Sequence, residues 1–182
     1  MFLLYVGYVL SARAIEDLLP AFIETLFSAG VQNVAMLISV FGVGSIVGGL
    51  WAAGRAMHGL TRSMAVSGTL QACSLFGLAM APGFRSACAW IFLVGLFTVQ
   101  FGTAAQTLVQ SAAVDDMRGR VMSLWFVIMR GGPGLGALAL GALGEQTGMR
   151  GAFLAGAIAC LLLFMGLWRR CGSLAEGLEQ NT

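Results

Sequence analysis

The sequence predicts an all-α, polytopic membrane protein with six transmembrane helices arranged as two inverted three-helix repeats. Composition is the first reason. Hydrophobic residues make up 58% of the 182, mean hydropathy is +0.87, and only 10% of residues are charged. A soluble domain carries about a quarter charged residues, so this chain lacks the polar surface to stay in water. The second reason is spacing: apolar runs bounded by charge recur at about 2–27, 34–53, 63–81, 88–110, 121–143 and 151–168. A bilayer-crossing helix needs ~20 such residues. None of these runs has the ten-residue alternation of a membrane barrel, which leaves helices to satisfy the backbone in hydrocarbon. A net charge of +2 is too small to suggest nucleic acid as a partner; membrane lipid is the expected surroundings. All ten basic residues are arginine.

The first span carries Arg13, Glu16 and Asp17 in its middle. At ~1.5 Å per residue, Arg13 lies roughly 16 Å from the start of the run, near the midplane. A charge there costs at least ~2.5 kcal/mol, yet spacings of three and four put both carboxylates on the arginine's face, where the group can neutralise itself. Such a face is expected to look into a bundle or a wet cavity. Met1 to Tyr8 has no basic residue, and Arg13, Glu16 and Asp17 interrupt the apolar run, so the segment reads as a retained helix rather than a signal peptide. It starts abruptly, as though something precedes it.

Span two contains the small-xxx-small pair Gly44 and Gly48, suited to close helix packing. The turn that follows holds Arg55, the sole histidine His58, and Arg62. Span three offers Ser67, Thr69, Gln71 and Ser74 as its polar side chains, and span six offers none between Gly151 and Trp168. Both are expected to face lipid, the place for a helix apolar on all sides. Span four carries a polar stripe, Gln100, Thr103, Thr107 and Gln110, flanked by Gln106. Intervals of three, four and three keep it on one helical face. It serves either as interhelical glue or as a cavity wall matching an Arg13, Asp17, Pro20 and Glu24 stripe on span one, so spans one and four are expected to share a polar face. In span five, Arg130 lies ~15 Å from Arg120 along the helix, again near the midplane. It precedes Gly131, Gly132, Pro133, Gly134 and Gly136, a packing surface with a joint at Pro133. No acidic residue of its own span is near, so Arg130 is expected to point inward, toward the surface that would meet a missing half, and to stay unpaired or only distantly paired. A polar tail, 171–182, follows span six.

Placing both termini in the cytoplasm puts Arg55, Arg62, Arg118, Arg120, Arg169 and Arg170 inside, against Arg85 and Arg150 outside; this fits the positive-inside rule. Cys73, Cys88, Cys160 and Cys171 form no CxxC pair and have no nearby histidine, so neither a disulfide framework nor a metal site is expected. No cofactor loop or nucleophile–base pair is visible, and an enzyme is not expected.

The stretch from Gln106 to Trp125, QTLVQSAAVDDMRGRVMSLW, resembles the tenth helix, the following loop and the start of the eleventh helix of major facilitator superfamily exporters. The subgroup it resembles includes the enterobactin exporter. Gly131 to Gly136 with Gly141 and Gly144 fits helix eleven of that group; Leu19-Pro20 and Gly42 to Gly49 fit helices seven and eight. The resemblance covers nearly the whole chain and implies the carboxy-terminal six helices of a twelve-helix transporter of the bacterial inner membrane. The loop from Gly54 to Arg62 lacks the aspartate of the superfamily's usual motif, which leaves Arg118 and Arg120 as the gating loop.

The resemblance implies proton-coupled export of a small molecule, such as a siderophore or drug, by rocking of two six-helix halves. Inverted three-helix repeats suit that reading. Glu16 or Asp17 then exchanges a proton, Arg13 tunes it, and Gln100, Thr103, Gln106, Thr107 and Arg130 face the substrate. The plainer alternative is a structural ion network. A partner is implied in either case, a missing amino-terminal half or a second copy. The other class of reading is a truncated or split half with an assembly role and no transport of its own.

Overall fold

The computed structural model describes residues 7–27, 31–54, 60–112 and 118–179, without the side chains of 24–27, 31, 112, 118 and 167–179. Six helices account for nearly all of them, and among the described residues there is no strand. A π-helical turn over Val9–Arg13 leads into α1 (Ala14–Phe27), followed by α2 (Val31–Ala53), α3 (Leu60–Ala79), α4 (Phe84–Ala112), α5 (Arg118–Thr147) and α6 (Met149–Glu179). Four are long and apolar enough to cross a membrane: α2 over Gln32–Ala53, α4 over Phe84–Ser111, α5 over Gly119–Thr147 and α6 over Met149–Gly166. α1 and α3 carry the polar load, with Glu16 and Asp17 on one and Gln71 among serines and threonines on the other.

α4 is flanked by α2 and α3, α3 also packs on α6, and α5 lies against α6 and α1. The α2–α4 crossing is backbone against backbone. A Cβ on Gly44 would collide with the Phe92 carbonyl, one on Gly48 with the Leu96 carbonyl, and one on Gly95 with the Phe41 carbonyl. Only glycine permits that approach. Between α1, α4 and α6 the core is aromatic: Tyr8 lies over Phe101 with ring centres 3.9 Å apart, Phe164 stands edge-on to both, and Phe22 stacks on Phe153. These rings are buried.

At one end, Arg150 from the first turn of α6 donates from Nε to the Ala79 carbonyl (3.0 Å) and from a terminal nitrogen to the Ala81 carbonyl (3.3 Å). It caps carbonyls that the end of α3 leaves without helical partners. The α3–α4 link and the α5–α6 link, where Gly148 takes φ +80°, therefore sit at the same end of the bundle.

α6 continues without a break to Glu179, so residues 171–179 of the expected tail are helical. One expectation is corrected: α3 is not a lipid-facing helix on all sides. Ser67, Gln71 and Ser74 are buried, while Val66, Leu70, Phe76 and Met80 are exposed. Spacings of four and three put the polar trio on one face; on that face Gln71 finds partners across the bundle, while Ser67 and Ser74 donate to carbonyls of α3 itself. α6 is two-faced as well, burying Phe153, Ala157, Cys160 and Phe164 and exposing Ile158, Leu162 and Met165.

Candidate functional site

A buried polar cluster sits where α1, α3 and α4 meet, with Glu16 at its centre. One carboxylate oxygen, Oε2, is paired with the Arg13 guanidinium one turn earlier. The other, Oε1, accepts from Gln71 Nε2 at 2.6 Å and from the Thr98 hydroxyl at 2.5 Å. Gln71 Nε2 also donates to Thr98 Oγ1 (2.9 Å), and Gln71 Oε1 accepts from the Tyr8 hydroxyl (2.8 Å). The Thr98 oxygen lies 2.7 Å from the Val94 carbonyl as well. Gln71 thus uses both amide hydrogens and its carbonyl oxygen within one cluster. A buried charge is tolerated only when paired and hydrogen-bonded, and here every partner of the carboxylate is a donor.

The π turn is what lets two residues eight apart share this cluster. An unbroken α-helix would set Tyr8 roughly 80° round the axis from Glu16. The π turn winds through a smaller angle per residue and brings Tyr8 round to Gln71. Its wider backbone fits against α5 because Gly136 has no side chain: a Cβ there would collide with the Leu10 carbonyl and the Ala14 methyl. Gly132 accommodates Val9 in the same way. Pro133 lies between them inside α5, and Gly134 faces open space.

The remaining candidates lie elsewhere. Arg13 is partly exposed, with its Nε buried and without a partner. Asp17 is exposed and forms no ion pair among the described residues. Pro20 is exposed too, so the face through Arg13, Asp17 and Pro20 turns outward while Glu16 turns in. The side chain of Glu24, the expected fourth member, lies outside the described residues. On α4, Gln100 is buried with its amide nitrogen unpartnered, Gln106 and Thr107 are half-buried, and Thr103 and Gln110 are exposed. Thr103 and Thr107 donate back to their own helix, to the Val99 and Thr103 carbonyls. α1 and α4 do meet at a polar contact, but through Glu16 and Thr98 rather than through the expected stripes. Arg130 is exposed and has no ion pair among the described residues. Arg120 is exposed; the Arg118 side chain, residues 113–117, Arg55 and His58 lie outside the described residues.

A family model described as Major Facilitator Superfamily matches residues 1–176. The chain belongs to that superfamily. Comparison with curated proteins gives no match. Membership makes this a membrane protein of the major facilitator transporter type, a class of carriers rather than enzymes.

Three residues of this major facilitator cluster, Tyr8, Gln71 and Thr98, escape a reading of spans one at a time. Gln71 carried a signal in its spacing with Ser67 and Ser74. Thr98 carried none, since a threonine two residues from Gln100 falls off the stripe.

Proposed function

We propose that the chain is a six-span unit of a proton-coupled exporter, with α1–α3 and α4–α6 as inverted repeats and Glu16 as the proton carrier. The observation that carries the reading is the burial of Glu16 among an arginine, an amide and a hydroxyl from three helices. An intramembrane ionisable residue with named partners is by default a candidate functional site. Of the adjacent carboxylates Glu16 and Asp17, Asp17 is exposed and has no such set of partners, which favours Glu16. α1 and α3 cross the bilayer in this reading as members of the bundle. Glu16 and Gln71 are matched inside it, where non-apolar helices are tolerated. Arg130 with Gln106 and Thr107 forms the surface offered to a small-molecule substrate, a siderophore or drug by resemblance. Alternating access needs a second six-helix body opposite, either an amino-terminal half or a second copy.

The test is export in vesicles from the full-length gene under an imposed proton gradient, with siderophores and hydrophobic drugs as substrates. Glu16→Gln is expected to abolish gradient-driven export at equal expression, and Asp17→Asn to leave it within about twofold, the scatter expected of an exposed residue. Undiminished export by Glu16→Gln overturns the reading.

A further inference from the structure

We propose that Thr98 is a positioning residue for the proton on Glu16: its hydroxyl turns between Glu16 and Val94 as the carboxyl loses and gains that proton. The inference rests on the reading of Glu16 as proton carrier and goes beyond it by assigning the group that makes both charge states tenable.

A hydroxyl has one hydrogen to donate and two lone pairs to accept with. Three atoms lie within reach of Thr98 Oγ1: Glu16 Oε1 at 2.5 Å, the Val94 carbonyl oxygen at 2.7 Å, and Gln71 Nε2 at 2.9 Å. Gln71 Nε2 only donates, so it takes one lone pair and leaves a single hydrogen with two candidate acceptors. When Glu16 is ionised it only accepts, and the Thr98 hydrogen belongs on Oε1. When Glu16 is neutral, its own O–H needs an acceptor. Arg13 and Gln71 Nε2 face the carboxyl group and both are donors; the second lone pair of Thr98 is the acceptor at hand. It becomes available once the threonine O–H swings to Val94. The oxygen then accepts twice and donates once, its full capacity.

Proton bookkeeping is simple. A proton from water forms the O–H bond on Glu16 Oε1, the threonine O–H is never broken, and only its direction changes. The ionisable groups that interact with the Glu16 charge include Arg13 and Tyr8 on its own segment and Cys160 from α6, and the adjacent Asp17 is exposed. α3 brings Cys73 on the same helix as Gln71, α5 brings the exposed Arg130, and α2 contains no ionisable side chain. Thr98 is a hydroxyl within reach of both Glu16 and the Val94 carbonyl, so its hydrogen has two acceptors to choose between.

The experiment is infrared difference spectroscopy of the full chain in lipid between acid and alkaline pH, with Glu16→Gln to assign the carboxyl C=O band. In wild type and Thr98→Ser the band of neutral Glu16 is expected at a hydrogen-bonded position. In Thr98→Val, which keeps the shape and removes the hydroxyl, the band should move to the higher frequency of a free carboxyl. The titration midpoint should move by less than about one pH unit, because the bond lost by the neutral state offsets part of the charge-assisted bond lost by the ionised one. Thr98→Ala gives the same reading if the valine variant does not insert. A band unmoved in the hydroxyl-free variants, with the midpoint raised by more than about one unit, would mean that Thr98 only donates to the carboxylate and would overturn the inference. Absence of any Glu16-dependent carboxyl band in wild type is a different result: it removes the proton carrier itself.

Discussion

Glu16 keeps its place through arithmetic of donors and acceptors. Its side chain is 5% exposed against 31% for Arg13, so the carboxylate is dry while its counter-charge reaches the edge of the bundle. One ion pair does not serve both oxygens, and Gln71 and Thr98 supply what the pair leaves open. Gln71 is therefore the residue whose loss spreads furthest. Gln71→Leu fills a similar volume but takes a donor from Glu16, a donor from Thr98 and an acceptor from Tyr8. It is expected to cost about 1–3 kcal/mol for each buried group left short, read as a lower melting temperature of the protein in detergent. Gln71→Glu keeps an acceptor for Tyr8 but sets a second carboxylate beside the first, and should be the less stable of the two above neutral pH. A melting temperature unchanged in both would mean that the cluster contributes nothing to holding α1, α3 and α4 together. What the sequence made legible here was the Arg13–Glu16 pair, because spacing of three along a helix is enough to predict it. It did not separate Glu16 from Asp17. That difference is set by which way α1 is turned, and the turn is set by neighbours far along the chain.

At the scale of helices, the glycines divide into those that touch backbone and those that do not. Gly48 has the Leu96 carbonyl where its Cβ would be, whereas Gly42 has nothing within 4 Å. Gly48→Ala is expected to force α2 away from α4 and to weaken the bundle, since the obstacle is a carbonyl rather than a movable side chain. Gly42→Ala should be neutral or stabilising by up to about 1 kcal/mol, the usual helix gain of alanine over glycine. Melting in detergent separates the two, and equal losses from both would remove the argument for a backbone-to-backbone crossing. The small-xxx-small spacing of Gly44 and Gly48 could be read in the sequence, and both lie on that crossing. Their partner Gly95 could not, because a single glycine in a run of apolar residues has no spacing to read. The π turn was likewise invisible: nothing in Val9–Arg13 announces it, and it follows from how α1 fits against Gly132 and Gly136. Helix existence was legible throughout, helix ends less so, and the inward polar face of α3 was misread because its serines and glutamine were weighed by number rather than by the face they share.

For the whole molecule, the contact that fixes relative sidedness is the one from Arg150 to the Ala79 and Ala81 carbonyls. It holds the α3–α4 and α5–α6 links together at one end, and since α4 and α5 are each long enough to cross a membrane, the start of α5 lies at the other. In a membrane the first end should also be the less basic one. Arg85 and Arg150 are the arginines at or beside those two links, while Arg62, Arg118 and Arg120 start α3 and α5 at the opposite end. An excess of arginine marks the cytoplasmic side, so the Arg150 end is expected to face out. Single cysteines at the exposed positions Pro82 and Gln146, in a chain with Cys73, Cys88, Cys160 and Cys171 replaced, should be modified by an impermeant thiol reagent added to intact cells. Cysteines at the exposed Gly54 and Gly119 should be protected until the membrane is opened. Reaction at 54 and 119 with protection at 82 and 146 would keep the pairing of the ends and reverse the orientation. Reaction at 82 with protection at 146 would break the pairing itself. No positive-inside argument would rescue it, because the Arg150 contact requires those two links on one side.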